Sequence, residues 1–337
     1  MPQPPTPRLS ALDGTLWLAE PAPFLPFVWR ALRAPCPSGR QVVLARRKSL
    51  EWAKAAPARA LPGGGPGPAE ELAAPQKALR AVKGRVATIP VYGPVMQRMS
   101  AELMKAGGTS VEDVGAALDA CLRDKSVEAV VLDVDSPGGE FCGTPELADK
   151  IFAARGRKKI YACCNSLMCS AAYWVGTSAS QVMMTPSGDC GSVGVFVMHT
   201  DESAANEAEG LKVTLIQAGK FKVEGNPYQP LGAVALAQLQ QRVDNVYAQF
   251  VAALSRNRGV PPERVRGRFG EGRTMEAGPA LEAGMVDRIM PYSDLMARLT
   301  GTGAAAAGGG VGVASQQVLR LRHEHAKRRA AYHTRLG

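Results

Sequence analysis

Histidine is scarce in the body of this 337-residue chain. His323, His325 and His333 fall in the basic C-terminal end, which leaves His199 alone in the interior. A serine hydroxyl is a poor nucleophile until a base takes its proton, and histidine is the usual base. A hydrolase on this chain must find its base elsewhere, and serine–lysine pairs are a known variant of the triad. Matched C-x-x-C pairs are also lacking. The seven cysteines (Cys36, Cys121, Cys142, Cys163, Cys164, Cys169, Cys190) are odd in number and scattered, which argues against a zinc site. No metal or other cofactor is expected. Most of these cysteines lie in apolar segments, as buried reduced thiols do, and that fits a reducing cytoplasm. The first eight residues are proline-rich and show no charged region leading into an apolar run, so no secretory leader or membrane anchor is expected. Residues 161–188 carry no charge and are long enough to span a bilayer. They contain Asn165, Ser166, Ser170, Thr177, Gln181 and Pro186, which is too polar for lipid and reads as a buried enzyme core.

A hydrophobic fraction of 46% with 21% charged residues is that of an ordinary globular protein. The formal charge of +10 hints at an acidic partner. The tail from Gly301 holds six Lys/Arg against one Glu and so supplies half of that excess. The body is only mildly basic, which argues against a nucleic-acid enzyme.

Residues 1–78 are Pro/Ala-rich with aromatic patches at Trp17, Phe24, Phe27 and Trp29, and read as an irregular N-terminal arm that docks on the body or on a partner, or else as a poorly ordered extension. Residues 79–299 alternate strands and helices. Strands are expected at 85–92, 129–134, 159–164, 181–185, 193–198, 212–216 and 285–290. Helices are expected at 110–123, with Ser110 as cap, and from Thr144, with Thr144 as cap and Pro145 in the first turn. A long helix over 233–257 carries an apolar stripe of Leu236, Leu239, Val243, Val246, Phe250 and Leu254, with Gly259 to end it. Thr274 can cap a short helix that follows. This rhythm predicts an α/β domain with a largely parallel sheet and flanking helices. Residues 300–337 read as a Gly/Ala linker and a basic tail.

Three segments can carry chemistry. Asp135-Ser-Pro-Gly-Gly139 follows a buried strand, and its glycines let the backbone turn with N–H groups facing outward, as an oxyanion hole requires. Ser170 lies in Asn165-Ser-Leu-Met-Cys-Ser-Ala-Ala-Tyr-Trp174, where a strand runs into a helix. Lys222 lies in Gly219-Lys-Phe-Lys-Val-Glu-Gly-Asn-Pro227, with Lys220 as its rival two residues away. A lysine has an ordinary pKa of about 10.4 and must lose its proton to act as a base. Burial lowers a lysine pKa, and Phe221 and Val223 are apolar neighbours that could provide it. Taken alone, each segment also fits a plain turn, a helix cap or a solvated surface loop.

Together and in this order, these segments and Pro186-Ser-Gly-Asp-Cys-Gly-Ser-Val-Gly194 resemble the signal peptide peptidase A family of serine proteases. The Ala171-Ala172-Tyr173-Trp174, His199-Thr-Asp-Glu-Ser203 and Gly225-Asn-Pro227 segments resemble its bacteriophage branch, the head-maturation proteases. The resemblance covers about residues 80–295. It implies a ClpP/crotonase-like fold, Ser170 as nucleophile, Lys222 as base, and backbone N–H groups of Gly139 and Ala171 as oxyanion hole. The 52-residue spacing of Ser170 and Lys222 suits a dyad within one subunit. The resemblance also implies a homo-oligomeric ring acting on protein substrates, the scaffold and major capsid protein, with portal or procapsid contacts, in the host cytoplasm within the assembling head. Cys169 before the nucleophile, and Ala171-Ala172 in place of a glycine pair, depart from the cellular members and bear on substrate preference. A cellular signal-peptide peptidase and an inactive capsid-associated protein are the alternatives.

Overall fold

The computed structural model describes residues 16–19, 81–83, 85–99 and 107–301. Its centre is a sheet of eight strands. The run Ala129-Val-Val-Leu-Asp-Val134 forms the middle strand β6 (Ala129–Ser136), flanked in parallel by β3 (Val86–Tyr92) and β8 (Lys159–Cys169). β2 (Ala81–Lys83) closes one edge antiparallel to β3. β8 is long enough to serve two neighbours: its first half pairs with β9 (Gln181–Met184) and its last residues with β10 (Asp189–Gly191), both parallel. β12 (Thr274–Glu276) runs antiparallel to β10, and β13 (Arg288–Ile289) parallel to β9. A parallel sheet is covered on both faces, which is why its strands read as continuous apolar runs. One face carries Ile89, Val130, Leu132, Val134 and Ile160; the other carries Val131, Cys163 and Met183 with Met290 and Leu295.

The helices cover this sheet as the pattern anticipated, with differences at their ends. In α1 (Val111–Arg123), Ser110 is the cap and its Oγ accepts the Asp113 amide at 3.3 Å. α2 (Thr144–Ala154) starts one residue earlier than expected: Gly143, at φ 81°, is the cap, and the Thr144 hydroxyl donates to the Glu140 carbonyl at 2.7 Å instead. The glycine adopts the left-handed turn that threonine would resist. α3 (Ala171–Thr177) is buried along its whole length. α4 (Ser203–Ala208) is short, and α5 (Ala233–Arg258) is the expected long helix, ended by Gly259 at φ 63°. Only the C-terminal half of its stripe is core: Val246, Phe250 and Leu254 are buried, whereas Leu236 is 55% exposed. α6 (Pro262–Arg268), α7 (Ala277–Ala283) and α8 (Tyr292–Thr300) complete the set. Thr274 is in β12, and Glu276 precedes α7 as its cap residue.

A second sheet joins β11 (Phe196–Val197), β1 (Leu16–Ala19), β7 (Gly138–Glu140), β4 (Val95–Met96) and β5 (Thr109–Ser110), in that order. The strand expected at 193–198 is reduced to β11. The strand expected at 212–216 does not form; this stretch is irregular and mostly exposed. Of the N-terminal arm, Leu16–Ala19 is described, and Phe24, Phe27, Trp29 and the tail beyond Gly301 lie outside the described residues. No described helix is long and apolar enough to cross a membrane.

Candidate active site

Ser170 is the hinge between β8 and α3. Its backbone, at φ 52° and ψ −117°, is a conformation that non-glycine residues rarely hold and that costs about 1–3 kcal/mol. Two backbone hydrogen bonds and a clamped helix behind it hold this turn. The Ser170 amide donates to the Gly191 carbonyl at 2.7 Å, and its carbonyl accepts the Trp174 amide at 2.8 Å. Behind it, α3 is clamped: Trp174 stacks on Phe250 with centroids 4.7 Å apart, and the Tyr173 hydroxyl donates to the Met285 carbonyl at 2.9 Å. Gly176 lies so close to Met168 that a Cβ would meet its sulfur at 2.3 Å. The Ser170 Oγ is fully buried and has no hydrogen-bond partner among the described residues. A buried hydroxyl without a partner is uncommon, and a strained strand-to-helix turn is where nucleophiles are presented.

β7 lies beside α3, and the Phe141 ring meets the Trp174 ring at 6.2 Å. The Asp135-Ser-Pro-Gly-Gly139 turn is self-braced: the Ser136 hydroxyl donates to the Gly93 carbonyl at 2.6 Å and accepts the Gly138 amide at 3.2 Å. Gly138 takes φ 100°. At Gly139 a side chain is impossible without rearrangement, because its Cβ would fall 1.7 Å from the Val95 carbonyl oxygen. Beside it, the Glu140 carboxylate accepts the Gln97 amide at 3.1 Å, and burial holds its carboxyl above the usual range against that bond. Ala171 heads α3, and first-turn amides of a helix have no intrahelical acceptor.

The structure thus brings Ser170, Ala171 and Gly139 onto adjoining elements. No bond joins Lys222 to the Ser170 hydroxyl. Lys222 is exposed in a turn, its amide donating to the Gly219 carbonyl at 3.1 Å, and Phe221 beside it is 54% exposed. The expected apolar burial of this lysine is absent in the single chain. Lys220 is exposed too, its ammonium 4.9 Å from the centre of the Phe221 ring. The loop is anchored at its far end. His199 Nε2 is 3.1 Å from the Asn226 carbonyl oxygen, and the Glu202 amide donates to the Pro227 carbonyl at 2.7 Å.

Sequence reasoning missed a second polar cluster at the start of the Ser170 segment. Asn165 Nδ2 donates to Asp133 Oδ1 at 3.0 Å, and the Tyr92 hydroxyl donates to Asp133 Oδ2 at 2.5 Å. Burial raises the Asp133 carboxyl although both bonds oppose it, and burial followed by Asp133 raises the Tyr92 phenol. The one advance sign was an aspartate inside an otherwise apolar strand. Among the described residues no group of His, Cys, Asp and Glu could hold a metal ion.

Residues 153–305 match the family model of peptidase family S49, a span that includes Ser170, Ala171 and Lys222 and begins after Gly139. Over 220 residues the chain is 32% identical to the head-tail preconnector protein GP5 of Enterobacteria phage P21, covering 65% of this chain and 43% of that one. It is also 32% identical over 213 residues to the capsid assembly protease C of Escherichia phage lambda, covering 63% and 48%. The chain therefore spans less than half the length of these two relatives. Among solved structures, ClpP1 from Listeria monocytogenes, an N165D mutant, aligns with 61% of this chain and 92% of its own at 15% identity and a TM-score of 0.40. Around the strained Ser170 turn, residues 153–305 of this chain are similar to peptidase family S49.

Proposed function

We propose that this chain is a serine endopeptidase that trims scaffold and major capsid proteins during phage head maturation. The observation that carries the reading is Ser170: a buried, unpartnered hydroxyl on a strained strand–helix turn inside the region similar to family S49. Ser170 Oγ attacks the scissile carbonyl, and its proton goes to the neutral Lys222 amine. The Gly139 and Ala171 amides hold the oxyanion. The lysine then returns the proton to the leaving amine, and water clears the acyl-enzyme.

Lys222 must move or be enclosed to do this. Its loop belongs to a run of exposed apolar side chains, with Leu211, Val213, Ile216, Phe221, Val234 and Leu236 each 41–95% exposed. Such a patch marks a contact surface. A second copy of the chain covers it in a homo-oligomeric ring, and assembly brings the lysine loop into its working environment.

The exposure of Lys222 favours one further reading, a capsid-associated protein without turnover. Wild type, Ser170→Ala, Lys222→Ala and Lys220→Ala, each co-expressed with scaffold and major capsid protein, separate the two by gel and intact mass. The peptidase reading expects cleavage by wild type and Lys220→Ala, and a loss of at least about a thousandfold in Ser170→Ala and Lys222→Ala. Equal cleavage by all four sinks the dyad. No cleavage by any of them, with assembled rings, establishes the structural reading.

A further inference from the structure

In the second sheet, β7 and β11 are held apart by one strand, and that strand comes from the far N-terminal end of the chain. Leu16–Ala19 runs antiparallel to both. Leu18 is opposite Gly139, with Trp17 opposite Glu140 and Ala19 opposite Gly138; on the other side Leu16 is opposite Val197 and Trp17 opposite Phe196. Neighbouring strands lie about 4.8 Å apart, so β7 and β11 form the walls of a slot roughly 10 Å wide. Each wall presents backbone N–H and C=O groups that one extended peptide satisfies on both sides. Gly139 lines the slot opposite Leu18, on the strand packed against α3.

We propose that this slot is the peptide-binding cleft of the site and that Leu16-Trp17-Leu18-Ala19 is its built-in occupant, a tethered competitor that must leave before a substrate strand enters. The proposal rests on the peptidase reading for its substrate. Its geometry rests on the sheet order alone. Leu16–Ala19 pairs with both walls, so the cleft takes an extended peptide antiparallel to β7, with the residue at the Leu18 position opposite Gly139. A tethered strand reaches a high effective concentration without any extra contact. The occupant lowers the apparent affinity for any other peptide by the fraction of time the slot is free.

The test uses the full chain carrying Ser170→Ala, so that binding is read without turnover. The probe is a fluorescein-labelled peptide, Gly-Thr-Leu-Trp-Leu-Ala-Glu-Pro, followed by anisotropy. Leu18→Pro removes an amide and disfavours the strand. If the arm fills the slot nine-tenths of the time, Leu18→Pro tightens peptide binding about tenfold. In a second variant, Trp17→Cys with Phe196→Cys, facing Cα atoms of an antiparallel pair lie within disulfide reach. With Cys36 and Cys142 replaced by Ser, it is expected to form an intramolecular disulfide that abolishes binding until reductant restores it. Equal affinity in parent and Leu18→Pro overturns the proposal. So does a Leu18→Pro chain that binds no peptide, or a cysteine pair that never links. Because none of these readings needs Ser170 or Lys222 chemistry, failure of the dyad and failure of the slot are told apart.

Discussion

A serine at φ 52° and ψ −117° is carried by the fold against its own preference, and glycine holds such a conformation without a Cβ clash. Ser170→Gly should therefore be more stable than Ser170→Ala by about 1 kcal/mol, read from denaturant midpoints, while both are inactive. Equal midpoints would mean that the turn stores no strain. The cysteines are sorted by burial at the same scale. Burial pushes the Cys163 and Cys190 thiols up to about 12 and raises Cys164 further, whereas Cys142 is exposed. A thiol reacts as its thiolate, so native iodoacetamide labelling at pH 8 should modify Cys142 and spare the other three until the chain unfolds. Early labelling of Cys163 or Cys190, located by peptide mapping, would contradict the packing described.

At the scale of elements, the C-terminal end of α5 is tied to the sheet by one buried pair. The Arg258 guanidinium is bidentate to Asp287 at 2.9 and 3.0 Å and also donates to the Gly284 carbonyl at 3.0 Å. Asp287 in turn accepts the Val182 amide of β9 at 2.8 Å. Arg258→Leu removes the bidentate partner of that largely buried carboxylate and should cost about 3 kcal/mol. Adding Asp287→Leu should recover part of the loss, because it removes the charge that lost its bidentate partner. A double variant no more stable than the single one would assign the loss to packing. Strand and helix existence was legible at this scale wherever burial is two-sided or the stripe is complete, as in β6, β8 and α1. The cap of α2 was misread because Thr144 and Gly143 both suit a helix start, and the tertiary contact of Thr144 with Glu140 chose between them. The strand expected at 212–216 failed for another reason. Its apolar residues call for a neighbour, and among the described residues no strand pairs with them.

At the scale of the whole molecule, the exposed apolar run around Ile216 and Phe221 is, among the described residues, a departure from a self-sufficient domain. Ile216→Asp combined with Phe221→Asp should lower the mass seen by light scattering from an oligomer to one chain and abolish cleavage, with the far-UV spectrum retained. An unchanged mass would place the subunit contact elsewhere. The same surface explains why the site was only half legible. Ser170, Ala171 and the Gly138-Gly139 turn are local devices, each written in a few adjacent residues. Lys222 is exposed, and no local pattern around it supplies the burial expected of a neutral lysine.

Sequence alone determined the alternation of apolar strands and helices, the glycines that permit the turns at 138–139, and the placement of a serine at a strand–helix junction. These follow from short-range sterics and burial periodicity, which act within a dozen residues. The tertiary structure decided the positive φ of Ser170, the Asp133 cluster, the Arg258–Asp287 tie and the entry of Leu16–Ala19 between β7 and β11. Each of these joins groups far apart in the chain, and their strength comes from low-dielectric burial or from shared backbone pairing that no local pattern encodes.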